Sequence, residues 1–401
     1  MRWILVAGGG TGGHVFPGLA VARALGRLAD VDVVFAGSPR GLEARVVPEQ
    51  GYALELLDVE PMKGGGPQRA IRGALVAAKA TQKARALVRR LKPAAVLSVG
   101  GYAAGPAALA CVSQGVPLAI LEPNSTLGLA NRLLAPFAKR AYLAWHSTGR
   151  HFAGGKARLH GVPLRPGFEP RPYAPPASGP RRLLVLGGSQ GAQALNEVLP
   201  RAIARAALST APISVVHQAG RDREASVRAA YAERGVRDVE VVPFLDDVAE
   251  RMAASDLIVA RAGAVTVAEI SAIGRAAIFV PFPHAADDHQ AKNALSLAEL
   301  GGAVCVRQES ADEARLADEI GRLFGDDARR SRMADAAREH GRPRAAEDVA
   351  RDLLDLAGIA PTKSAAPPAP PGGLGAGEKN GATNGSSARF RAATTAKKEV
   401  S

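Results

Sequence analysis

The stretch Gly8–Pro17, GGGTGGHVFP, follows an apolar run, WILVA at Trp3–Ala7, short enough for a buried strand. It leads into Gly18–Leu28, where Leu19, Ala22, Ala24, Leu25 and Leu28 fall near helical spacing. Strand, glycine loop and helix in that order turn loop amides and a helix N-terminus toward an anion. The glycines let backbone approach a ligand where a Cβ would collide. A second loop of this kind, GGSQGA at Gly187–Ala192, follows a second apolar run, RLLVL at Arg182–Leu186. Two such units predict an α/β chain of two Rossmann-like domains facing a shared cleft.

Gly8, Gly10 and Gly13 also match the dinucleotide pattern G-x-G-x-x-G. That reading requires an acid at the end of the second strand, to hold a ribose. The second strand here, Val31–Ala36, runs into Gly37-Ser38-Pro39; Asp32 lies at its wrong end and Glu43 beyond the turn. An NAD site is therefore disfavoured.

Strand-like and helix-like segments alternate along the whole chain, the pattern of parallel sheets flanked by helices. The expected strands of the first half are Trp3–Ala7, Val31–Ala36, Leu54–Val59, Ala95–Val99, Leu118–Leu121 and Arg140–Ala144. Those of the second are Arg182–Leu186, Ile213–Gln218, Val239–Val242, Leu257–Ala260, Ala277–Val280 and Ala303–Val306. A chain of 401 residues fits two domains. No apolar run approaches the ~20 residues of a membrane span. The two cysteines, Cys111 and Cys305, form neither a disulfide framework nor a metal site.

The net charge of +13 is unevenly placed. Between Lys63 and Lys92 stand nine Lys/Arg and no acid, and Arg72, Lys79, Lys83 and Arg90 share one helical stripe. Such a stripe suits a solvated face or an anionic membrane surface. Residues 361–401 are rich in Pro, Gly, Ala and Ser, carry a basic excess and lack apolar periodicity, so they are expected to be a disordered tail. No nucleic-acid partner is expected.

Chemistry should gather just past the strand ends, where open α/β sheets bind ligands. Gly100-Gly101-Tyr102, Glu122-Pro123-Asn124 and Gly161–Arg165 (GVPLR) fall there in the first half. In the second, RAGAVTVAE at Arg261–Glu269 leaves a strand, turns at Gly263 and enters a helix. Its amides can meet a diphosphate, and a carboxylate one turn later can accept two ribose hydroxyls. Pro281–Ala294, PFPHAADDHQAKNA, follows the next strand. The spacing of His284, Asp287, Asp288 and His289 fits a hydrogen-bonding loop better than a metal site. Asp246-Asp247 reads as a helix N-cap pair.

Taken together, AGGGTGGHVFPGLAVA, SVGGYAAGP, LEPN…GLANRLLA, GVPLR, LGGSQGAQALN, PFLDD, RAGAVTVAEI and VPFPHAADDHQAKNA occur in the order found in the MurG family of peptidoglycan glycosyltransferases, which the chain resembles from residue 1 to about 358. The resemblance implies a GT-B type fold with a lipid-acceptor domain at 1–163, a donor domain at 164–342, and a helix at 343–358 that returns to the first domain. It implies inverting transfer of N-acetylglucosamine from UDP-N-acetylglucosamine to undecaprenyl-diphospho-N-acetylmuramoyl-pentapeptide, without cofactor or obligatory metal. The expected location is the cytoplasmic face of the inner membrane, as a peripheral protein.

Position by position, the resemblance assigns Thr11, Gly12, Gly13, Asn124, Arg165, Ser189, Leu245 (through backbone), Ala264, Val265, Thr266, Val267, Ala268, Glu269 and Gln290 to the donor site. Glu269 would hold the ribose and Gln290 the sugar hydroxyls. Pro123 stands where the family often has Gln, and Val162 where Asn is common. Transfer needs a base for the attacking hydroxyl; His14 is the first candidate and Glu122 the second. The rivals are another nucleotide-sugar transferase, a nucleotide-sugar epimerase of similar architecture and a non-catalytic lipid-associated scaffold.

Overall fold

The computed structural model describes residues 2–59, 67–188, 191–208, 210 and 212–362, with backbone alone over 67–77. The expected tail thus lies almost wholly outside the described residues. Two parallel sheets organise the rest. The first comprises β1 (Trp3–Gly8), β2 (Asp32–Gly37), β3 (Ala53–Leu56), β4 (Ala95–Gly100), β5 (Leu118–Glu122), β6 (Arg140–Leu143) and β7 (Ala157–Leu159), in spatial order β3-β2-β1-β4-β5-β6-β7. The second comprises β8 (Arg181–Leu186), β9 (Ile213–Gln218), β10 (Val239–Val242), β11 (Leu257–Ala260), β12 (Ala277–Phe279) and β13 (Ala303–Cys305), in order β10-β9-β8-β11-β12-β13. In both sheets the order reverses beside the strand that feeds a glycine loop, which opens a crevice at the strands' C-terminal ends.

The central strands β4, β5, β11 and β12 are buried along their whole length, as helices on both faces require of continuous Val/Ile/Leu/Ala runs. Edge strand β3 is half exposed and ends at Leu56, shorter than the expected Leu54–Val59. Edge strand β7, three half-buried residues, is an element the sequence reading lacks.

The helix Gly12–Leu28 is buried on more than its sheet-facing side, from Val15 to Leu28. Gly18 brings it close to the sheet: a Cβ there would lie 3.3 Å from Val6 and Val99 methyls. Its other side is covered by the helix Ala345–Leu356, whose Val349, Ala350, Leu353 and Leu354 enter the first half's core. Tyr142 donates to Asp352 at 2.9 Å, so β6 is tied to the same helix. Between the halves, Trp145, Val162, Leu164 and Phe168 enter the core that β11, β12 and the helix Ala264–Ile273 build.

The basic helix runs Pro67–Leu91. Lys83 donates to the Leu56 carbonyl at 2.8 Å and Arg90 pairs with Glu55, so β3 supplies the acid missing from the helix itself. The side chain of Arg72 lies outside the described residues. Asp247 stands at the N-cap of the helix Val248–Ala254 but makes no side-chain capping bond; its carboxylate takes the Arg251 Nε at 2.9 Å instead.

Candidate active site

Where β1 ends, two glycine loops touch backbone to backbone. Gly9 N donates to Gly100 O at 3.1 Å. A Cβ on Gly8 would lie 2.1 Å from Gly100 O, and one on Gly101 2.1 Å from Gly9 O, so neither position accepts a side chain. Beneath them sits Glu43, buried, its Oε2 accepting Gly10 N at 2.6 Å and its Oε1 accepting Ser38 N at 2.8 Å. Glu43 therefore braces the loop from below, a role that its place past the second strand did not signal.

The loop delivers Thr11 to the N-cap of Gly12–Leu28 and His14 to the first turn. His14 Nδ1 lies 3.3 Å from Thr11 Oγ1, and its ring covers Gly100, where a Cβ would come within 3.0 Å of Nε2. Burial holds the imidazole below its ordinary value of 6.5; the Glu122 carboxylate and the Gly9 backbone oppose that shift, and His289 of the second half adds to it. His14 is thus neutral near pH 7 and faces both halves.

Glu122 ends β5 and is buried. Its Oε1 accepts the Asn124 backbone and side-chain amides, both at 3.1 Å, and its Oε2 accepts Gly128 N at 2.9 Å and Asn131 Nδ2 at 3.1 Å. Four donors occupy both oxygens, which leaves poor access for a substrate proton. Asn131 is held in turn by Ser98 Oγ at 2.8 Å and by the Leu121 carbonyl at 3.0 Å. Glu122 and Asn124 were legible in the sequence as a polar pair past a strand end, whereas Asn131, inside a short helix, was not.

In the second half, Gly263 caps the helix Ala264–Ile273 in extended backbone, leaving the first amides pointing out of the helix end. Glu269 lies one turn in, with a side chain 10% exposed and Arg165 Nε at 3.7 Å. Burial pushes its carboxyl up to about 7, with Arg165 opposing. Arg165 itself lies over the Phe168 ring at 5.4 Å, on the segment that joins the halves.

The loop after β12 is pinned from below. Arg261 donates to the Val280 and Pro281 carbonyls at 2.9 and 3.2 Å and to Gln308 at 2.7 Å. Gln290 Oε1 accepts Phe282 N at 3.0 Å, Asp288 pairs with Arg307 at 3.0 Å, and His289 Nδ1 meets Ala286 O at 2.7 Å. Asp288 and His289 are thus spent on separate local contacts, and His284 packs edge-on against Phe282.

The other expected donor residues divide by what they can present. Thr11 is exposed, while Gly12, Gly13 and Asn124 are half-buried at the first loop and the end of β5. Val265, Thr266 and Ala268 are half-buried on the helix after Gly263; Ala264 is buried, and Val267 and Leu245 turn their side chains into the core and can offer backbone alone. Ser189 lies outside the described residues. Pro123 is buried, and Val162 sits in the core between the halves.

Paired sheets of this order, with a glycine loop and helix N-terminus after each first strand, define a two-domain GT-B type nucleotide-sugar enzyme. The N-terminal and C-terminal domain descriptions of glycosyltransferase family 28 match residues 4–143 and 182–349, and the chain belongs to that family. It is 55% identical, over 89% of each chain, to a UDP-N-acetylglucosamine–N-acetylmuramyl-(pentapeptide) pyrophosphoryl-undecaprenol N-acetylglucosamine transferase of Sorangium cellulosum. Among solved structures, Acinetobacter baumannii MurG is similar at 33% identity and TM-score 0.75, covering 88% of this chain and all of that one. A UDP-GlcNAc 2-epimerase from Neisseria meningitidis shares the fold alone, at 13% identity and TM-score 0.61, over 88% of this chain and all of the other.

Proposed function

We infer that the chain transfers N-acetylglucosamine from UDP-N-acetylglucosamine to undecaprenyl-diphospho-N-acetylmuramoyl-pentapeptide, with inversion at the sugar. Residues 1–163 take the lipid acceptor and 164–342 the donor; residues 343–358 return to the first half. The observation that carries this reading is the meeting, across the halves, of the helix that bears His14 with the helix that bears Glu269.

In this reading the helix N-termini after Thr11 and Gly263 stabilise the leaving diphosphate. Glu269 accepts the ribose hydroxyls beside Arg165, and Gln290 serves the sugar once it exchanges its bond to Phe282. Neutral His14 removes the acceptor hydroxyl's proton. The neighbouring Glu122 carboxylate then stabilises the imidazolium, acting through His14 rather than as the base itself. UDP release from UDP-N-acetylglucosamine should depend strictly on the lipid-linked acceptor. Release without acceptor would favour an epimerase-like reaction, and no release with any acceptor would favour a scaffold.

We further propose peripheral attachment to the cytoplasmic face of the inner membrane. No helix among the described residues is long and apolar enough to cross a membrane. The helix Pro67–Leu91 packs on Ala104–Val112, which touches Leu129–Leu134. These last two helices and the turn after them expose Leu109, Leu133 and Phe137. Replacing Arg72, Lys79, Lys83 and Arg90 with Glu should weaken binding to anionic vesicles roughly 10- to 100-fold, since a basic residue near such a surface contributes about 1 kcal/mol and two of the four are engaged at β3. Transfer to a short soluble acceptor should survive. Unchanged vesicle binding would reduce the stripe to a solvated face.

A further inference from the structure

We propose that Asn293 is a positioning residue that clasps the two halves together at the active site, joining the loop after β5 to the start of the diphosphate-facing helix. Asn293 lies on the helix His289–Glu299 of the second half and is fully buried. Its Oδ1 accepts Ser125 N of the first half at 2.9 Å, and its Nδ2 lies 3.3 Å from Asn124 Oδ1. The same Nδ2 lies 3.3 Å from Ala262 O, next to the Gly263 cap. One amide thus meets a donor and an acceptor on the other half, and an acceptor on its own.

The partners are not passive loop atoms. Asn124 is fastened to Glu122 by both its amides, and Glu122 is the carboxylate that His14 senses. Ser125 is held from its other side by Ser147 Oγ, which donates to its carbonyl at 2.9 Å. On the second half, Gln290 lies one residue short of a helical turn before Asn293, so it moves with it. The clasp therefore links the groups around the base to the groups assigned to the donor. Reaction geometry tolerates little error: a misplacement of about 1 Å can cost 10²-fold in rate. The amide suits the place because it donates and accepts at once; a carboxylate here could hold Ser125 N but would face Asn124 Oδ1 and Ala262 O with no hydrogen to offer.

The clasp's effect on rate rests on the proposed transfer, whereas its existence can be judged without any reaction. In Asn293→Ala, hydrogen exchange at the Ser125 amide, on the opposite half, should quicken at least about 10-fold. At saturating substrates kcat should fall roughly 10- to 100-fold, while UDP affinity stays within about threefold. Asn293→Asp should restore Ser125 protection yet leave kcat depressed about 10-fold or more, which separates the clasp from general destabilisation. Unchanged Ser125 exchange in the alanine variant would overturn the proposal, as would a kcat within twofold of wild type. A fall in UDP affinity that matches the fall in kcat would make Asn293 a donor contact instead. If wild type shows no acceptor-dependent UDP release, the functional reading fails, and Ser125 exchange still decides whether the clasp exists.

Discussion

His14→Ala should lower kcat by roughly 10²-fold or more while leaving affinity for UDP-N-acetylglucosamine within about threefold. The asymmetry follows from where the residue sits. His14 stands in the first turn of the first half's glycine-loop helix, with Thr11 at 3.3 Å, whereas Glu269 and Gln290 belong to the second half. Removing the imidazole takes away a proton acceptor and leaves the helix N-terminus intact. The pH profile gives a second reading. Because burial lowers the His14 pKa from 6.5, the acidic limb of kcat/KM should lie below that value in wild type. The limb rises with pH as the neutral imidazole forms, and it should vanish in the variant's residual rate. Near-normal turnover in His14→Ala would pass the role of base to a bound water, since the four bonds on Glu122 leave it badly placed to take over.

Parallel sheets made the outline legible in the sequence. A strand buried on both faces must be an uninterrupted apolar run, and so Leu257–Ala260 was readable to the residue. Strands at the edges lose that signal: β7 has three half-buried residues, and β3 stops early because Leu57–Val59 leave the ladder. Parallel topology also sends every strand's C-terminal end to one rim, so glycine loops and polar clusters just past apolar runs could be recognised as one site.

What stayed hidden was carried by single polar residues acting over long separations. Glu43 reaches Gly10 across 33 positions, and Asn293 reaches Ser125 across 168. Neither leaves a periodic or compositional trace. The basic stripe illustrates the same limit in reverse: no acid stands among its neighbours in sequence, yet Glu55 reaches Arg90 from the adjacent strand. Asp247 was legible as a cap by position, but a competing arginine one turn later took its carboxylate.

Glu269→Gln should bind UDP-N-acetylglucosamine roughly 10- to 100-fold more weakly, because charge-assisted hydrogen bonds to ribose hydroxyls contribute about 1.5–3 kcal/mol each. It should also lose most of its preference for UDP over 2′-deoxy-UDP. The free protein should respond in the opposite direction. The buried carboxyl holds its proton up to about 7 when folded, against an ordinary value of 4.5. Between those values the folded state binds more protons than the unfolded one, so the stability contributed by this group falls as pH rises from 4.5 to 7 and stays low above it. A glutamine carries no such penalty. Its Tm relative to wild type should therefore be higher at pH 8 than at pH 5, which ties donor affinity to a cost in stability at one residue. The same proton shapes binding: wild-type affinity for UDP-N-acetylglucosamine should climb as pH rises through about 7, and the variant's should stay flat. The sugar nucleotide is the proper probe, because a terminal phosphate such as that of free UDP titrates near 6 and would add its own slope. Equal discrimination against the deoxy analogue in both proteins, with parallel pH profiles, would take the ribose away from Glu269 and leave the carboxylate as a partner of Arg165 alone.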